Sequence, residues 1–391
     1  LVTDAADARF VPTGHLIYFR RGQLFAAPFD PARPQRIGSE RALLSNVMQA
    51  TNGVNSYFNS GAAQLALSSS SGTLAYLSGG EFPDVNRLIV WVDRQGKVEQ
   101  FHVPAKPYYL PRLSPDDQQV AVQTLQSERR VWVHDLRRPD SLTPVTALEL
   151  EAYHHIWSRD GTRLAFCASP NGRYGLFWAR GDGTQPAGER LNASDSWLAT
   201  ASWADDDKLL YVRYDAKTRF DVWMLSRDDD NWSSHVLLNA EGDEQDARVS
   251  PNGRWLAYSR SETGMGREIS YVYVRRFPEP TGQRQVGEGS EPVWARDGKE
   301  LFYIRRSAAT FELVAHNVAP DGTVAPAGRA LFDLTSRRLT RYYPVPGYDV
   351  TRDGRRFVFA QNPDTPVPSP TDRIDVILNW FEELKAKALV K

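Results

Sequence analysis

A block of residues recurs along this chain: an aromatic or apolar residue, a polar pair, an Asp-Gly or equivalent turn, one or two polar residues, then an apolar triplet. The fullest copies span 157–166, 249–258, 294–303 and 350–359, with turns at Gly161, Gly253, Gly298 and Gly354. Copies at 113–122 and 203–211 are good, the one at 71–76 is degenerate, and the one at 12–18 is weakest. The triplets begin at 16, 74, 120, 164, 209, 256, 301 and 357, so five successive steps fall between 44 and 47 residues. A period of that length matches one four-stranded propeller blade, which takes roughly 40–50 residues.

The chemistry of the block explains the geometry. Asp-Gly or Asn-Gly between apolar runs favours a tight hairpin, because Gly accepts positive φ and Asp or Asn bonds the turn backbone. The triplets are rich in β-formers. A third strand follows each hairpin, in 88–92, 130–134, 175–178, 221–225 and 269–273, and a weaker fourth follows a polar turn, as in 234–238. One such sheet leaves both faces uncovered, so neighbours must stack and the ring must close.

The expectation is an all-β chain, a β-propeller of four-stranded antiparallel blades. Eight copies predict eight blades, with seven as the alternative if the first copy is irregular. The last copy offers a third strand at 374–378 and no clear fourth, which Leu1, Val2 and Thr3 are expected to supply, closing the ring. Beyond Leu378 the pattern turns helical. Asn379 reads as an N-cap with Glu382 in the capping-box position, and Phe381, Leu384 and Ala388 share one face. This C-terminal helix, 379–391, is expected to pack on the ring. The stretches 51–61 and 362–370 read as loops between strands, so 1–391 reads as a single propeller domain.

Composition bears on function. Of the 391 residues 41% are hydrophobic and 24% charged, enough for a packed core. Lys and Arg number 47 against 48 Asp and Glu, without the basic excess a nucleic-acid binder uses. Cys167 is the single cysteine, which excludes an intramolecular disulfide and a cysteine zinc cluster. Apolar runs such as 88–92 fall far short of the roughly 18–20 residues of a membrane helix. The chain opens at Leu1 with neither Met nor a signal-like block, and reads as a processed chain or an excised domain. Any anchor would lie outside it.

Motifs of common catalysts are missing from the sequence. There is no Gly-x-Ser-x-Gly elbow and no P-loop. Gly264 and Gly266 lack the third glycine of a dinucleotide loop, and the run from Asp228 to Asp230 lacks the Gly and Glu of a calcium loop. The repeated Asp160, Asp297 and Asp353 are expected to bond their own turns. Trp157, Trp203 and Trp294 are expected to fill the space between blades.

The remaining candidates gather at the starts of inner strands. His154 and His155 are an adjacent pair near the presumed channel. Neighbouring strand residues face opposite ways, so they read as channel lining. In the alternative reading they join Glu244, Asp246 and Glu291, which hold comparable positions in other blades, in a mixed His/carboxylate metal site. Tyr57, Tyr109, Trp197 and Tyr343 also precede inner strands. A mouth ringed with aromatics and carboxylates suits a polar small molecule, a glycan or a peptide. The candidate binding set is therefore Tyr57, Tyr109, His154, His155, Trp197, Glu244, Asp246, Glu291 and Tyr343. No catalytic role, metal or other cofactor is assigned.

The recurring Trp-Ser-Pro/Arg-Asp-Gly…Leu-Ala-Phe/Tyr block resembles the WD40-like repeat of TolB-type propellers over nearly the whole chain. Two stretches, 14–30 and 377–385, resemble parts of the propeller regions of bacterial membrane-anchored serine/threonine kinases. The kinase's own motifs are missing here: no Gly-rich loop, no His-Arg-Asp, no Asp-Phe-Gly. The resemblance implies a non-enzymatic sensor or interaction domain on the extracytoplasmic side, tethered through a segment outside this chain. Its partner is an unidentified small molecule, glycan, peptide or protein. Other classes remain open: a metal-assisted propeller enzyme such as a polysaccharide lyase, and a TolB-like periplasmic scaffold.

Overall fold

The computed structural model describes all residues except 1–4, 21, 34, 37, 50–60, 79–84, 102, 125–128, 139–140, 230, 241, 265–266, 280, 308–309, 365–373 and 389–391. Among the described residues the strands form eight antiparallel sheets: six of four strands, one of five and one of three. One short α-helix, Trp380–Lys387, follows. The chain divides into two compact units, residues 1–85 with 364–391, and residues 86–363.

The second unit holds the six four-stranded sheets. Five are built from consecutive strands, and their innermost strands are Tyr108–Leu113, Tyr153–Trp157, Leu198–Asp205, Asp243–Val249 and Ser290–Trp294. The sixth joins Tyr348–Val350 and Arg356–Gln361 to Leu88–Asp93 and Val98–Gln100, from the other end of the unit. Arg356 pairs with Asp93 and Gln361 with Leu88. Ile89, Val358 and Ala360 of this sheet pack with Tyr108, Val120 and Val122 of the first. On its other side Phe357 and Phe359 pack with Phe302 and Leu313 of the fifth. The six sheets thus close a ring inside this unit.

Eight sheets agree with the blade count read from the repeat, but two strands have exchanged partners. Sequence order places 88–92 beside the triplet at 74, and 374–378 beside the triplet at 357. In the structure Ile374–Ile377 pairs with Leu74–Leu77, and Leu88–Asp93 pairs with Arg356–Gln361. The second pairing closes the ring with main-chain hydrogen bonds between strands from both ends of the unit, which side-chain packing alone would not supply. Leu1, Val2 and Thr3, expected as a closing strand, lie outside the described residues.

The first unit contains the sheet of Ala6–Val11, His15–Arg20 and Gln23–Asp30, with Gln35–Arg36 and Arg41–Leu44 both on Gln23–Asp30. Its other sheet is Leu65–Leu67, Leu74–Leu77 and Ile374–Ile377. The helix belongs to this unit's core: Trp380, Leu384 and Ala388 are buried in one cluster with Ile17, Phe19, Leu24 and Leu74. Trp380, rather than Phe381, leads the buried face. Asn379 does not cap through its side chain. It sits at φ 54°, and its carbonyl accepts from Glu382 N at 3.0 Å.

The turn reading holds atom by atom. Asp160 Oδ1 accepts from Thr162 N at 3.0 Å, Asp297 Oδ1 from Lys299 N at 2.9 Å, and Asp353 Oδ1 from Arg355 N at 3.0 Å. The glycine that follows each carries positive φ, 72° at Gly161 and Gly298 and 67° at Gly354, which a Cβ would strain. Cys167 is fully buried, and burial pushes its thiol up, so it is an inert core residue.

Candidate functional site

The inner strands of the ring do not run straight. Pairing shifts between Tyr109 and Arg112, Tyr153 and Ile156, Gln245 and Arg248, and Ser290 and Val293. At each shift one residue takes the left-handed conformation: Leu110 (φ 51°), His154 (46°), Asp246 (57°) and Glu291 (62°). A bulge re-aims the side chains around it. The strict alternation assumed for His154 and His155 therefore fails, and both rings are buried in the hub.

At this end the hub is filled by residues 341–347, between the fifth and sixth sheets. This segment supplies the extra length of the last repeat step. Asp246 N donates to Pro344 O at 3.0 Å, and Gly347 N donates to Glu291 Oε2 at 2.7 Å. Arg341 Nε meets Glu291 Oε1 at 2.8 Å, and Arg112 donates to Pro346 O. Tyr342 packs edge-on against Tyr109 and His154, with ring centroids 5.7 and 5.5 Å away. Tyr343 lies against Phe220 and donates to Asp243, which is ion-paired to Arg219 at 2.7 Å. The segment is a plug, in contact with five of the six sheets.

The structure brings most of the sequence candidates together around that plug. Tyr109, His154, Trp197 and Tyr343 form one packed aromatic cluster with Tyr342 and Phe220, rather than an open mouth. Asp246 accepts from Ser259 Oγ at 2.5 Å and from Glu291 N at 3.0 Å, so the two acids are neighbours. Burial holds the imidazoles of His154 and His155 down at about 3, aided for both by the nearby Arg112 charge, so both are neutral. Burial raises Glu291 to about 7 against the pull of Arg341. Glu244 stands apart, beside Asp221, with Oε1 accepting from Ala240 N at 3.2 Å. Tyr57 lies outside the described residues. Among the described residues no three His, Cys, Asp or Glu side chains are placed to hold a metal ion.

Glu244 makes a pH test. Burial, then the Asp221 charge, raises its carboxyl from 4.5 to about 8. A carboxyl raised by folding resists ionisation only in the folded state. Its contribution is complete below about 4.5 and is lost as pH climbs through about 8. Glu244→Gln keeps the acceptor for Ala240 N and removes the ionisation. The variant is expected to melt with wild type at pH 5 and a few degrees above it at pH 9. An unchanged difference between the two pH values in thermal melts would refute the assignment.

The opposite end of the hub, where the inner strands finish, is open. A cavity of about 240 Å³ is lined there by all six sheets. Its walls include Trp157, Trp203 and Trp294. Trp157 Nε1 donates to Arg112 O at 3.0 Å and Trp294 Nε1 to Arg248 O at 2.9 Å, each tying its sheet to the preceding one. Arg112, Arg159, Arg248 and Arg296 reach the same space, with Asp349 as the one carboxylate among the described residues that line it. None of these charged residues was singled out from sequence. Part of the signal was present as arginines at fixed offsets in the block, immediately before it at Arg112 and Arg248, and two places into it at Arg159, Arg296 and Arg352, of which Arg352 does not line the cavity.

No family model matches the chain, and no curated protein is significantly similar to it in sequence. Solved structures do resemble it. A putative TolB from Agrobacterium tumefaciens aligns with a TM-score of 0.56 at 17% identity, covering 72% of this chain and 99% of that one. TolB from Acinetobacter baumannii aligns at 0.47 and 13% identity, covering 91% and 79%. Oligogalacturonate lyase from Vibrio parahaemolyticus aligns at 0.48 and 13%, covering 77% and 96%. The first likeness establishes a TolB-like β-propeller fold. Among the described residues no helix is long and apolar enough to cross a membrane.

Proposed function

We propose that this chain is a non-enzymatic propeller that recognises its ligand at the open end of the six-sheet hub. The observation that carries this reading is the asymmetry of the hub: one end is filled by 341–347, while the other opens on a cavity to which every sheet of the ring contributes. A closed ring holds such a cavity rigid, and its bordering turns are free to vary.

The hub's acids and imidazoles support binding over catalysis. Asp246 and Glu291 fasten the plug and its neighbours, and His154 and His155 are neutral and packed among aromatic rings and backbone. The resemblance of 14–30 and 377–385 to kinase-associated propellers supports a finer reading, a sensor or interaction domain of a bacterial signalling protein on the extracytoplasmic side. A TolB-like scaffold would use the same surface for a protein partner.

The competing enzyme reading needs metal at His154, His155 and the hub acids. The test is to dialyse the purified chain against Mn²⁺, measure bound metal, and assay it on oligogalacturonate. No stoichiometric metal and no turnover above buffer are expected. Metal lost in the His154→Ala/His155→Ala double variant, with turnover that disappears alongside it, would overturn the proposal.

A further inference from the structure

The open end of the hub has a charge pattern with an internal two-fold. In a ring of six, the first and fourth sheets face each other, as do the second and fifth. Arg112 and Arg248 hold the same block position in the first pair, and Arg159 and Arg296 share another position in the second. Their supports repeat as well. Arg159 donates to Ala204 O at 2.6 Å and Pro251 O at 3.3 Å, in the third and fourth sheets. Arg296 reaches Asp349 at 3.6 Å and Leu113 O at 3.5 Å, in the sixth and first.

Most of these supports are neutral. Arg112 donates to the carbonyls of Pro111, Pro346 and Tyr348, and Arg248 to the carbonyl of Ala201 at 2.7 Å. Carbonyls orient a guanidinium without cancelling its charge. Counting the acids beneath the cavity, Asp246 and Glu291, and their partner Arg341, and leaving aside the mutually paired Arg219 and Asp243, the described residues of the hub include five arginines against three carboxylates. Among the described residues that line the cavity, the buried polar atoms that lack a partner are all donors, Arg112 Nε, Arg248 Nε and Trp203 Nε1, while Asp246 beneath them leaves Oδ1 as an acceptor. Such a site repels cations and favours an acceptor-rich anion, which guanidinium forks bind in bidentate fashion. The excess of arginines over carboxylates favours an anion that carries more than one charge.

We propose that this cavity binds a small organic dianion, a dicarboxylate or a phosphate monoester, gripped between the opposed pairs Arg112/Arg248 and Arg159/Arg296. The inference rests on the reading of this end as the recognition surface and names the chemistry it selects. The cavity, at about 240 Å³, is a pit with a plugged floor, and suits a small molecule better than a polymer.

The experiment is calorimetric titration of the full chain with succinate, glucose 6-phosphate and inorganic phosphate, with acetate and glucose as monoanionic and neutral controls. At least one dianion is expected to bind, less tightly as salt rises. The succinate and phosphate arms separate the two chemistries. Arg248→Gln and Arg296→Gln are each expected to weaken binding about tenfold or more. Arg355→Gln, at a side chain 83% exposed, is expected to leave it unchanged. Arg296 is itself 34% exposed, so its replacement tests the site without emptying a core, and a thermal melt of each variant confirms folding.

Failure of wild type to bind any of the three dianions overturns the inference, as does affinity that neither arginine variant alters. Glucose binding indifferent to those variants would also overturn it while leaving the recognition surface standing. Turnover with metal would remove the non-enzymatic reading and leave the anion result to be judged on its own.

Discussion

Residues 86–363 expressed alone are expected to fold cooperatively, whereas the fragment that begins after Gln100 is expected not to fold. The difference is the pair of strands Leu88–Asp93 and Val98–Gln100, which complete the sixth sheet. Ile89, Val90 and Val92 are each 3% exposed or less. Burying each such side chain contributes about 1.5–3 kcal/mol, so their loss costs on the order of 5–9 kcal/mol. That is comparable to the whole stability of a typical domain, about 5–15 kcal/mol. The deletion also strips the hydrogen bonds from one edge of Arg356–Gln361 and uncovers Tyr108 and Val122 of the first sheet. Circular dichroism melts and gel filtration of the two fragments check this. Equal melting of both would show that ring closure does not depend on these strands.

Glu291→Ala is expected to destabilise the chain by about 3 kcal/mol, at the lower end of the cost of breaking a buried ion pair. Glu291 is 1% exposed and accepts from Arg341 Nε and Gly347 N, the two ends of the plug. Alanine leaves Gly347 N buried without an acceptor and Arg341, 32% exposed in its side chain, without its carboxylate. Glu291→Gln separates charge from hydrogen bonding. Below about pH 7 the native carboxyl is increasingly protonated, and the amide is its near-isostere. The glutamine variant is therefore expected to lie within about 1 kcal/mol of wild type at pH 6. Chemical denaturation of the alanine variant at pH 8, where Glu291 is ionised, and of both variants at pH 6 is the measurement. A cost for alanine below that of glutamine would mean that 341–347 is held by its aromatic packing and not by Glu291.

Much of the fold was legible because its units are local. Asp160, Asp297 and Asp353 each bond an amide two residues away, so their turns follow from the pentapeptide around them. The strands around those turns inherit their place from the hairpin. The partner exchange at 88–93 and 374–377 was not legible, because loop-closure entropy grows only slowly with chain length and sequence neighbours gain little over distant strands. The helix face was legible at Leu384 and Ala388 and missed at Trp380, whose burial depends on the sheets beside it.

The candidate site shows the same division. Tyr109, His154, Trp197, Asp246, Glu291 and Tyr343 were found as hub residues from their position before the inner strands. That position says nothing about whether the space between them is open, and 341–347 fills it. The arginines at the other end were visible as offsets in the block, but offsets do not tell which sheets oppose. In a ring of eight the first and fourth do not face each other.

What the sequence alone determined is the repeating hairpin and its count, since turn chemistry and strand propensity act over a few residues and need no distant partner. What the tertiary structure decided is which strands close the six-sheet ring, which end of its hub is plugged, and which arginines meet across the open end. Those outcomes depend on residues hundreds of positions apart arriving in one place, and only the closed packing of the sheets brings them there.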